Sequence, residues 1–211
     1  MKSENRKGSL MINQKSKLSV GIAMLFVTIL LVTAFLSIAT RQWKNVYLSL
    51  LAMVGLSLPF IITYIANRKY LELPSSFQSI TLVFVFLALY LGEIRNFYQV
   101  FWWWDLLLHA IFGSYAVIIA LHSIKGILRK EQDTTDRRFT LFALIFSFSF
   151  SIALGTLWEM CEFAADYLFK SSMVKGGLDD TYTDLLIKIA AAFITAIIYY
   201  YRNWKKAKSF S

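Results

Sequence analysis

Charge is scarce in this chain, and so are the residues that staple or break a fold. Only 17% of its 211 residues are Asp, Glu, Lys or Arg, against about a quarter in a soluble domain. The single cysteine, Cys161, excludes an intramolecular disulfide framework and any thiolate cluster around zinc. Two prolines and nine glycines exclude collagen-like and low-complexity chains. A hydrophobic content of 57% and an aromatic content of 17% exclude disorder. There is no Gly-x-Ser-x-Gly elbow and no His-Glu-x-x-His pair, and Gly176-Gly177 lacks the Lys-Ser/Thr continuation of a nucleotide loop. These gaps remove the familiar hydrolase and nucleotide-binding signatures.

Long apolar runs are what the chain has in abundance. A bilayer core of ~30 Å needs about 20 apolar residues in a helix rising ~1.5 Å per residue. Residues 18–39, 46–66, 74–92, 106–124 and 139–158 contain no charged side chain and have that length. A sixth run, 185–201, is interrupted only by Lys188, and Thr183 and Asp184 are expected in its first turn. Alternating strand patterns are absent, and in lipid a helix satisfies its own backbone. The expected fold is therefore all-α: a polytopic bundle of six transmembrane helices at 18–201, between basic tails at 1–17 and 202–211. Pro59 is expected to kink the second helix. The first helix has a small-x-small triplet at Ser37-Ile38-Ala39, but its apolar run exceeds the ~7–15 residues of a signal peptide.

Orientation follows from Lys and Arg. They crowd the N-terminal tail, the second and fourth connections (Arg68, Lys69, Lys125, Arg129, Lys130, Arg137, Arg138) and the C-terminal tail. The opposite face has only Arg41, Lys44, Arg95, Lys170 and Lys175. Both termini are thus expected in the cytoplasm. The net charge of +9 is accounted for by this bias and by anionic lipid headgroups. It does not indicate nucleic acid, since no RNA- or DNA-reading motif accompanies it.

Acids fall on the other face, a pattern the orientation rule does not explain. Asp105 and His109 are i, i+4 at the outer start of the fourth helix. Glu159, Glu162 and Asp166 form one stripe at the outer end of the fifth, and Asp180, Asp184 and Lys188 another entering the sixth. Asp105 also reads as an N-cap, and Asp180 and Asp184 as acids favoured by a helix N-terminus. Glu159 and Glu162 resist such readings. They lie toward a helix C-terminus, where the dipole disfavours anions, and they repel each other. Each needs a proton, a basic partner or a metal ion, and Lys188 and His109 lie at a similar depth.

At these residues the chain resembles the YjdF-like bacterial inner-membrane proteins, a domain of unknown function. The resemblance rests on Trp104-Asp105-Leu106-Leu107-Leu108-His109, on Leu157-Trp158-Glu159-Met160-Cys161-Glu162-Phe163 with Asp166, and on Gly177-Leu178-Asp179-Asp180-Thr181 with Asp184-Leu185. It implies a multi-pass protein of the bacterial cytoplasmic (inner) membrane. Two positions depart from the family pattern: Lys188 stands where an Asp is expected, and Ala191 where a Gly is expected. A more distant similarity joins the chain to VanZ-like membrane proteins, with Leu106 in place of their Lys and Glu162 in place of their Gln.

Three functions fit these residues. In the first, Asp105, His109, Glu159 and Glu162 hold a divalent metal (Zn, Mn or Fe), and Asp166 or Asp184 acts as base on an envelope lipid or lipid-linked substrate. Lys188 is then an internal counter-ion, paired with one glutamate if no metal is bound. In the second, the same residues bind or transport a cation or small solute. In the third, they orient helices in a structural or accessory protein surrounded by membrane lipids.

Overall fold

The computed structural model describes residues 2–69, 71–127, 135–169 and 177–208; the side chains of 2–16, 125, 126, 136, 161, 165, 166, 168, 169 and 203–208 are outside the description. The helices are α1 (Lys2–Ala39), α2 (Trp43–Arg68), α3 (Phe77–Val85, continuing as a π-helix over Phe86–Ile94), α4 (Phe97–Val100), α5 (Trp104–Ile127), α6 (Asp136–Phe169) and α7 (Leu178–Lys208). Among the described residues there is no strand. Six stretches are long and apolar enough to cross a membrane: Lys17–Ala39, Trp43–Arg68, Phe77–Ile94, Trp104–Ile124, Arg137–Ala164 and Leu178–Arg202. The all-helical expectation therefore holds, in two compact units, Met1–Trp104 and Asp105–Ser211.

The first unit packs α1 and α3 against α2 around Leu30, Ala52, Leu56, Leu82 and Ile94. Phe26 of α1 stacks on Phe86 with ring centres 4.0 Å apart, and Phe86 stacks on Tyr90 at 4.7 Å. Pro59 is buried inside α2, which continues through it. The second half of the third span is π-helical, ending where the Arg95 N–H donates to the Tyr90 carbonyl. Gly92 belongs to this stretch because the Tyr98 ring leaves no room for a side chain; a Cβ there would lie 2.2 Å from a ring carbon. Asn96 then turns the chain in the left-handed region at φ 58°. Phe97, Phe101, Trp103 and Trp104 follow in mutual ring contact, while Trp102 is 81% exposed. Such a cluster suits a membrane–water boundary.

The second unit consists of α5, α6 and α7. Its buried apolar cluster comprises Val117, Leu121 and Ile124 of α5, Ala143 and Leu144 of α6, and Ala192 of α7. Small residues bring the backbones together on one side of that cluster. The Ser151 hydroxyl of α6 donates to the Gly113 carbonyl of α5 at 2.9 Å, fully buried. A Cβ on Gly113 would lie 2.4 Å from the backbone oxygen of Lys188 on α7. Two helix starts differ from the sequence expectation. α5 opens at Trp104, so Asp105 lies in its first turn rather than at the N-cap. α7 opens at Leu178, with Asp179 and Asp180 in its first turn, where the helix dipole favours negative charge. Asp184 is consequently carried into the second turn.

Candidate functional site

Polar side chains of the second unit gather at one end of it. Asp105 and His109 project from the first turns of α5, Glu159 and Glu162 stand toward the end of α6, and Asp184 and Lys188 stand in the first turns of α7. Helical spacing places Asp105 under His109 and Asp184 under Lys188. On α6, Ser147, Ser151, Gly155 and Glu159 recur every fourth residue and are all buried. That stripe faces the other two helices.

Two groupings result. In the first, the His109 Nε2 lies 3.3 Å from an oxygen of Asp105 and 3.2 Å from an oxygen of Asp184. One ligand atom from each of the three residues lies within 4.8 Å of the others, so the set could hold a metal ion. His109 is 7% and Asp184 3% exposed, while Asp105 is half-buried. The other Asp184 oxygen, Oδ1, is buried with no hydrogen-bond partner among the described residues. An unsatisfied buried carboxylate oxygen is costly and calls for a cation or a donor.

In the second grouping, the Lys188 ammonium donates to Glu159 in a buried ion pair. Lys188 is 2% and Glu159 5% exposed. The ammonium also lies 5.9 Å from the centre of the Phe112 ring, within the range of a cation–π contact. Glu162, one turn beyond, accepts a hydrogen bond at 2.8 Å from the indole N–H of Trp158. It is half-buried.

Of the residues singled out in the sequence, Asp105 and His109 therefore meet Asp184. Glu159 meets Lys188, and Glu162 meets Trp158. The side chain of Asp166 lies outside the described residues. Sequence reasoning set Asp184 aside as a base, and its spacing from Lys188 did not reveal that it shares the imidazole nitrogen of His109. Nor did it single out Gly113 and Gly155, which make room for Lys188. The one signal available was their four-residue spacing from His109 and Glu159.

A helical membrane protein with a His/carboxylate cluster buried at one end of three helices is the class these features define. The chain belongs to the family described as "Predicted membrane protein (DUF2238)", which matches residues 21–205, and the YjdF-like resemblance fits that family. An uncharacterized protein of Thermotoga maritima is 28% identical over 142 residues, covering 67% of this chain and 69% of the relative. These matches do not show the VanZ-like similarity. No solved structure matches the chain.

Proposed function

We propose that the chain holds one divalent cation on Asp105, His109 and Asp184 and uses it to activate water against an envelope lipid or lipid-linked substrate. The observation that carries this reading is the single imidazole nitrogen facing two carboxylate oxygens, at 3.3 and 3.2 Å. One N–H cannot serve both well, and charge-assisted hydrogen bonds settle nearer ~2.7–2.9 Å. Ligands ~2.0–2.1 Å from a tetrahedral ion stand ~3.3 Å from one another, which matches the two separations from the imidazole nitrogen. Charge supports the same reading. Neutral His109 with ionised Asp105 and Asp184 carries two negative charges, which a divalent ion cancels in a setting where net charge is costly.

One imidazole with two carboxylates suits Zn, Mn or Fe and leaves a coordination position for water. A metal in such a site supplies hydroxide near neutral pH. Glu162, outside both ionic groupings and steadied by Trp158, is a carboxylate among the described residues that can take up a proton. The apolar cluster at the other end of the unit supports binding or chemistry from one membrane face over passage through these three helices. Elemental analysis of the purified full chain in detergent, after exposure to each of the three ions, should find about one equivalent of metal. Absence of stoichiometric metal under all three conditions would overturn the reading.

The Lys/Arg bias puts the site on the outer face, with both termini in the cytoplasm. Cysteine labelling in a Cys161→Ser background checks this at two exposed positions. A membrane-impermeant maleimide should modify Trp102→Cys in intact cells and reach Lys69→Cys only after permeabilisation. The reverse pattern would invert the topology.

A further inference from the structure

Lys188 is the largest fully buried side chain among the described residues, and the proposed triad makes no direct use of it. Two helices give up side chains to admit it. Gly113 of α5 lets the backbone at Lys188 approach, and a Cβ on Gly155 of α6 would lie 3.2 Å from the Lys188 Cδ. The ammonium so placed pairs with Glu159 and lies over Phe112. It sits one helical turn, ~6 Å of rise, from Asp184.

A fixed positive charge that close to a cation site repels the cation unless an anion offsets it. Glu159 is that anion. The Lys188–Glu159 pair sums to zero, as does the triad with neutral His109 and a divalent ion, so each grouping is balanced separately within the membrane. Resting on the metal reading above, we infer that Lys188 is a resident second cation. It takes Glu159 out of the ligand set and confines the centre to one metal ion on Asp105, His109 and Asp184. Glu159 is thus a positioning residue that acts on the metal only through Lys188.

A charge cycle on the full chain in detergent separates this role from ligation, with Zn²⁺ and Mn²⁺ affinities read by competition against a chromophoric chelator. Glu159→Gln strands the ammonium, which then turns on the triad's carboxylates, so affinity should fall at least tenfold. Adding Lys188→Met removes the stranded charge while keeping a long apolar side chain. The double variant should bind one ion with an affinity within about threefold of wild type. Loss of metal from the double variant would make Glu159 a ligand and overturn the inference. Wild-type affinity in Glu159→Gln alone would overturn it equally, because the Lys188 charge would then have no hold on the site. If Glu159→Gln does not fold, the neutral double variant still decides between the two roles. Wild-type protein that binds neither ion is a different outcome, and it overturns the metal reading itself.

Discussion

Replacing His109 by alanine is expected to abolish stoichiometric metal binding while leaving the protein monodisperse in detergent. The imidazole nitrogen is common to both contacts of the triad, 3.3 Å to Asp105 and 3.2 Å to Asp184. Removing it leaves two carboxylates with no neutral ligand between them. The loss should exceed the ~10–100-fold that follows when only an outer-shell partner of a metal is removed. The two acids should rank by burial. Asp184, with a side chain 5% exposed, has no water to replace it, whereas Asp105, at 24%, does. Asp184→Asn should therefore weaken binding more than Asp105→Asn. Metal content and chelator competition measure both effects. Retention of one equivalent in His109→Ala would remove the triad from consideration.

Substituting Gly113 should produce the largest loss of stability in the second unit. An alanine Cβ at that position meets the backbone oxygen of Lys188 at 2.4 Å and its Cα at 3.0 Å. Backbone cannot rotate aside as a side chain can, so α5 and α7 must separate. That separation disturbs the Ser151 hydrogen bond to the Gly113 carbonyl and the Asp184–His109 contact one turn away. Overpacking of this kind costs about 1–3 kcal/mol. Gly155→Ala is the control, since its Cβ meets the Lys188 side chain alone, Cδ at 3.2 Å and Cβ at 3.9 Å. Thermal unfolding in detergent should show a clear drop for Gly113→Ala and a smaller one for Gly155→Ala. Equal shifts would mean that the α7 backbone yields at Gly113 as readily as the Lys188 side chain does at Gly155.

The apolar runs and the helical spacings are local properties, and they were legible for that reason. A stretch of about 20 uncharged residues in lipid has few alternatives to a helix, so the six candidate spans follow from residue order alone. Helix ends were less legible. α7 starts at Leu178, ahead of the apolar run, because Asp179 and Asp180 suit a helix N-terminus and hydropathy does not register them. The π-helical stretch over Phe86–Ile94 has no signature in an apolar run, since every backbone group is satisfied either way.

Within the site, residue order by itself determined the vertical pairings: Asp105 with His109, and Asp184 with Lys188, each fixed by 3.6 residues per turn. It also determined that an ammonium, an imidazole and several carboxylates lie at comparable depth. Only the tertiary structure decided the horizontal ones. Whether Lys188 meets Glu159 or Glu162, and whether His109 meets Asp184 or Glu159, depends on how far each helix is rotated about its own axis. That rotation is settled by the backbone approach at Gly113, the room Gly155 leaves for the Lys188 side chain and the Ser151 hydrogen bond, contacts between residues 33 or more positions apart in the sequence for which local periodicity contains no information.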